Sequence, residues 1–182
     1  MIAQNLNPRL IADFFLARDN ERETADVTQL KLHKLCYLAQ ANYLAETGVR
    51  LFDSEFYAFQ YGPVVADILA DFKSYDRQTI VATESGRRRA EEAALSSLPP
   101  EIVTYLDRVW NTYKDESSSR LVNLTHDDAP WSDAFIPGVP HCRMRDEAIR
   151  DWYRNKPEAE RIYVDNVWFV PTEVWDALEA DE

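Results

Sequence analysis

Glycine and cysteine are scarce in this 182-residue chain, at four and two residues. Four scattered glycines cannot supply a phosphate-cradling P-loop or a dinucleotide fingerprint, which need several at fixed spacing. They also exclude collagen-like and linker-like composition, and two cysteines exclude a disulfide framework. No apolar run approaches the roughly 18 residues a membrane helix needs. The stretch Met1 to Pro8 has neither the cationic nor the apolar region of a signal peptide. No membrane partner is expected, and the cytoplasm is the expected compartment.

Positive charge is also short, with 20 Lys and Arg against 32 Asp and Glu and a net charge of -12. Such a chain repels a phosphate backbone unless its basic residues gather on one face. The one dense basic run, Arg87-Arg88-Arg89, is followed at once by Glu91-Glu92. No nucleic-acid partner is expected. An acidic surface suits a basic protein partner, although it serves solubility equally well.

What is present is apolar and aromatic: 46% hydrophobic residues, with five Trp, nine Tyr and eight Phe. That composition folds. Asn7-Pro8 caps a first helix that carries Leu10, Ile11, Phe14 and Phe15 and ends near Asp19. Thr28 caps a second from Leu30 to Ala45, which Gly48 stops. On this helix Leu30, Tyr37, Ala41 and Leu44 form one apolar stripe and Leu32, Cys36, Ala39 and Tyr43 another, so it is packed on two sides. The aromatic segment Leu51 to Tyr61 alternates in part and reads as extended, with a short strand.

After Gly62, Pro63 is expected to open a third helix with Val64, Val65, Ile68, Leu69 and Phe72. Ser74 to Ser85 reads as a connection, with a short strand at Thr79 to Ala82. Helix returns from Glu84 or Gly86 to Leu95 and again after Pro99-Pro100, through Ile102, Leu106, Val109 and Tyr113. A short helix begins at Ser117-Ser118-Ser119. Phe135 to Cys142 is a loop, followed by a helix from Arg145 to Tyr153. The tail offers an edge strand at Val167 to Val170 and a short helix after Thr172. The expected fold is mainly α, a single compact helical domain with one or a few short strands, and no repeat divides it.

Chemistry has few carriers. His33 and Cys36 stand one helical turn apart, and His141-Cys142 could complete a four-ligand set, but adjacent His and Cys rarely aim at one ion and paired zinc spacing is absent. No metal or cofactor is expected. Around His126, with Asp127 or Asp128 to orient it, an acid-base hydrolase can be drawn. The structural reading is stronger: Asp128 as a helix N-cap, Pro130 in the first turn, Trp131 anchored in the core and His126 bonded to backbone. A lone His beside a carboxylate also lacks the third member of a catalytic set.

Leu30 to Gln40, then Gly48 to Phe52, then Tyr57 to Val65 form an ordered set that resembles the signature of the Panacea antitoxin-domain family, SocA-like and often phage-associated. Thr125-His126 with Pro130-Trp131 matches its later element at similar distance. His33, Cys36 and Phe59 depart from the residues common there. The resemblance runs from about Leu6 to Tyr153, so the domain is expected at 1–154, with 155–182 as a C-terminal extension packed on or flanking it. It implies a non-enzymatic antitoxin that binds and neutralises a cognate protein toxin, with a ClpXP-type protease as a further partner if it acts as a proteolytic adaptor.

The contact surface is expected at Lys31, Lys34, Tyr37, Phe52, Tyr57, Phe59, Tyr61, Gly62 and Pro63, because this stretch carries more aromatic and polar groups than a core absorbs. A second reading has Tyr61-Gly62-Pro63 merely shaping a turn. Leu30, Leu35, Leu38, Gln40, Thr125, His126, Pro130 and Trp131 are the family motif in a structural role.

Overall fold

Asn7 and Pro8 open the first helix, α1 (Pro8–Asn20), as their residue types predict. The Asn7 side chain accepts a hydrogen bond from the Arg9 N–H at 2.9 Å, and proline sits where an N–H would have no helical partner. This helix belongs to a computed structural model that describes residues 6–81 and 92–165. Thr28 accepts from the Lys31 N–H to start α2 (Gln29–Thr47), and Gly48, at φ +77°, ends it.

The helix α2 organises everything else. Every side chain from Lys31 to Ala45 is buried, so the expected two packed stripes become enclosure on all sides. Its neighbours are α1, α4 (Pro100–Tyr113), α5 (Ser118–His126), α7 (Asp146–Arg154), and the hairpin of β1 (Phe56–Phe59) and β2 (Gly62–Val65). Between hairpin and α4 lie a 3-10 turn at Ala66–Ile68, the single turn α3 (Leu69–Phe72) and a helical stretch over 92–97. The short α6 (Ala129–Ser132) and β3 (Arg143–Met144) separate α5 from α7. The fold is mainly α with one small antiparallel sheet of order β2-β1-β3, in which Phe56 faces Val65 on one side and Met144 on the other.

Alternation along β1 sends Phe56 and Ala58 into the core and leaves Tyr57 and Phe59 half-buried on the outer side. The helix expected from Pro63 is replaced by β2 as far as Val65. Pro63 lies on the sheet edge opposite Ala58, where a missing N–H costs no ladder bond. At Thr79 to Ala82 a single bridge joins Thr79 to Thr28, beside an Ile80 N–H that donates to Val27; Ala82 lies outside the described residues. So do the first part of the helix expected before Leu95, and the tail strand and helix after Val167.

From the expected extension, Ile162 is buried and donates its N–H to Asn42 Oδ1, while Arg161 pairs with Glu46 at 2.5 Å, both on α2. Among the described residues no helix is long and apolar enough to cross a membrane.

An enclosed helix must satisfy its polar side chains internally. Gln40 does so by acting as backbone for the chain beside it. Its Oε1 accepts the N–H groups of Leu51 and Phe52 at 2.9 and 3.2 Å, and its Nε2 donates to the Phe52 carbonyl at 3.3 Å. Gln40→Leu strands these groups in the core, at about 1 to 3 kcal/mol for each buried orphan. Urea denaturation is expected to show a loss of at least about 2 kcal/mol, and a loss below about 0.5 kcal/mol would contradict this role.

Candidate partner-binding site

The motif residues scattered along the sequence converge on one locus beneath the β1-β2 turn. Lys34 Nζ, on α2, donates to the Pro63 carbonyl at 3.0 Å. A Cβ on Gly62 would stand 2.6 Å from Lys34 Cε and 2.8 Å from Thr125 Oγ1, and Gly62 holds φ +94°. Only glycine allows both the close approach and that backbone angle. From α6, Trp131 Nε1 donates to the Phe59 carbonyl at 3.0 Å, so helix and hairpin are tied at both ends of the turn. His126 stacks on Trp131 with ring centroids 3.8 Å apart, and Trp131 stacks in turn on Phe135 at 4.9 Å.

Burial dominates the electrostatics here. It pushes Lys34 from 10.5 down to about 7. It also brings His33 down to about 3, with the Lys34 charge as a second cause. The geometry agrees: His33 Nδ1 accepts the Val65 N–H at 3.2 Å, which requires a neutral ring, and its Nε2 is buried without a partner. His126 is lowered by burial and then by Lys34, against the opposing effects of Asp127 and the Gln60 backbone. Burial raises the Cys36 thiol far above its ordinary value, so it behaves as a core residue. His33 and Cys36 do not meet His141 and Cys142 in a metal site, since no cluster of three or more potential ligands exists among the described residues.

Asp128 departs from its expected role. It occupies the N-cap position of α6, yet its carboxylate makes no capping bond. It accepts instead from Tyr153 OH at 2.5 Å, Trp152 Nε1 at 2.8 Å and Lys156 Nζ at 3.1 Å, which fastens α7 to the α5-α6 junction. Tyr37 packs edge-on against Tyr153, and its hydroxyl is raised first by burial and then by the Asp128 charge. Asp128 is therefore occupied elsewhere, and Asp127 is exposed. The hydrolase drawing finds no carboxylate holding His126 in a directed bond among these contacts.

Of the residues expected at a contact surface, Lys31, Lys34, Tyr37, Phe52, Gly62 and Pro63 are buried and offer no surface in the folded chain. Lys31 is bound by Asp26 and the Lys114 carbonyl, and Lys34 by Pro63. Each is held by a partner the sequence could not show. Tyr57 and Phe59 stay half-buried and Tyr61 is 58% exposed. The second reading, a turn shaped by Gly62 and Pro63, describes the inner side of the hairpin, while its outer side carries the aromatics.

Beside them runs the 135–142 loop, read from sequence only as a break. Ile136 and Val139 are 54% and 48% exposed there. With Ala58, Phe59 and Gln60, the loop residues Phe135, Pro137, Gly138, Val139 and Pro140 line an open groove of about 720 Å³. The signal was in the composition, since Phe135-Ile136-Pro137-Gly138-Val139-Pro140 is apolar where a connection is ordinarily polar.

The family described as Antitoxin SocA-like, Panacea domain, matches residues 32–132. Antitoxin SocA from Caulobacter vibrioides (strain NA1000 / CB15N) is 27% identical over 164 residues, covering 83% of this chain and 84% of that protein. No solved structure matches.

The crowding at Gly62 yields a direct test. Gly62→Ala is expected to lower stability by about 2 to 4 kcal/mol in urea denaturation, from overpacking and a strained φ together. A loss below about 0.5 kcal/mol would show that the turn is not held as described. Lys34 adds a pH test. From about pH 7 to 10.5 the unfolded lysine holds its proton while the folded one has released it, so stability rises with pH over that window. Below pH 7 the penalty is fully present. Lys34→Met should flatten the rise, and an unchanged pH slope in the variant would contradict the assignment.

Proposed function

Because the chain belongs to the Antitoxin SocA-like, Panacea-domain family, we propose that it neutralises a cognate protein toxin by binding it directly. The observation that carries this reading is the division of labour in the β1-β2 hairpin. The polar and small motif residues Lys34, Gly62 and Thr125 are spent on the interior, and the aromatic edges of Tyr57, Phe59 and Tyr61 are left outside. Aromatic side chains on a rigid strand make good anchors, because little rotamer freedom is lost when a partner covers them. The role is binding rather than catalysis, and it asks for no cofactor. Masking the toxin needs only this surface. Delivery to a ClpXP-type protease is a separate function that would need its own docking segment, and it would shorten the toxin's half-life in cells.

The test is growth rescue from a co-expressed toxin by Tyr57→Ala, Phe59→Ala and Tyr61→Ala. Each variant is expected to keep its melting temperature within a few degrees, and the anchor positions to weaken toxin binding by about 2 kcal/mol or more. Full rescue by all three would contradict the contact. So would loss of rescue only in variants that have unfolded.

A further inference from the structure

The groove beside the hairpin is preformed. One wall is β1 with its turn, and the other is the 135–140 loop. Both ends of the loop are tethered to the hairpin. At its start Phe135 lies on Trp131, whose Nε1 is bonded to the Phe59 carbonyl. At its end the His141 ring lies 5.1 Å from Tyr57 and 6.1 Å from Phe59, and the Cys142 carbonyl accepts the Ala58 N–H at 2.8 Å. His141 adopts φ +57°, an uncommon angle for a residue with a side chain, which fits a loop held in one shape. A groove fixed on both sides binds at a lower ordering cost than a mobile one.

Its lining selects the class of occupant. Phe59, Phe135, Pro137, Val139 and Pro140 are apolar, and Gln60 is the only polar side chain among the lining residues. A small-molecule site needs several convergent polar groups to orient its ligand, and this groove lacks them. An apolar protein segment needs only shape and area. The charge around it selects further. Asp133, in the turn leading to Phe135, and Asp127, next to His126, are exposed and form no ion pair among the described residues, and the chain as a whole carries -12. A second copy would bring another -12 to the same place, whereas a basic protein would be attracted.

We propose that the groove between the hairpin and the 135–140 loop receives an apolar segment of a basic partner protein, with Val139 as the anchor in its lining and Ile136, exposed between the lining residues Phe135 and Pro137, beside it. This deepens the toxin-binding reading and rests on it. The hairpin wall falls within the residues that match the family, and the loop wall falls just beyond residue 132.

The experiment uses the full chain and, as probe, a purified toxin whose growth arrest the chain relieves on co-expression. Binding is measured by calorimetry for wild type, Ile136→Asp, Val139→Asp, the milder Val139→Gln, and Thr104→Asp on α4 as an exposed control. Ile136 and Val139 are half-exposed, so the melting temperatures should match. Binding is expected to weaken at least about 100-fold in Val139→Asp, about tenfold in Val139→Gln and Ile136→Asp, and to stay unchanged in the control. Wild-type affinity should fall at least about tenfold between roughly 50 and 300 mM salt.

If wild type neutralises its toxin and the groove variants bind as tightly, the groove is wrong while the antitoxin reading stands. If wild type neutralises no toxin, both fall. Salt-insensitive binding overturns the basic partner. A wild-type dimer in sedimentation that Val139→Asp dissociates would show that a second copy covers the groove, and would also overturn the proposal.

Discussion

Enclosure of α2 on every side is the constraint from which the rest of the structure follows. Helix burial at this level is ordinarily achieved with apolar residues, yet α2 carries Lys31, His33, Lys34, Gln40 and Asn42 into the interior. Each must find a partner there or cost the fold several kcal/mol. The partners they find are backbone groups of other segments: Lys114 for Lys31, Val65 for His33, Pro63 for Lys34, Leu51 and Phe52 for Gln40, and Ile162 for Asn42. Polar side chains of one helix thus fix the positions of irregular chain that has few backbone bonds of its own. This makes a 19-residue helix the template for a domain.

The hairpin is the clearest product of that template. Lys34 and Thr125 crowd Gly62 from within, and Trp131 binds the Phe59 carbonyl from the side. With its inner side fixed by three helices, the hairpin can present aromatic side chains outward without collapsing onto them. The motif residues are therefore structural in placement. They set where Tyr57, Phe59 and Tyr61 stand relative to the 135–140 loop.

Helices were legible where capping and periodicity coincide. Asn7-Pro8, Thr28 with Gly48, Pro99-Pro100 and Ser117 all mark the termini that the structure shows. The hairpin was half legible: aromatic alternation located β1, but Pro63 read as a helix start, because an edge strand tolerates proline for a reason that only sheet order reveals. Burial of Lys31 and Lys34 was not legible at all. A lysine on a helix defaults to solvent, and the carbonyls that hold these two come from residues 83 and 29 positions away. The same long-range origin hid Asp128, whose partners Trp152, Tyr153 and Lys156 lie on and just after α7. The groove was missed because proline and glycine in the 135–142 loop were read as punctuation and the apolar residues between them were not weighed.

The most direct measurement is amide hydrogen exchange of the full chain, alone and saturated with a toxin it neutralises. Protection on binding is expected at residues 57–61 and 135–142, with α2 already slow in the free chain and unchanged by the toxin. Protection confined to other segments, or fast exchange along α2 in the free chain, would contradict the account of a rigid buried helix presenting an aromatic hairpin to a protein partner.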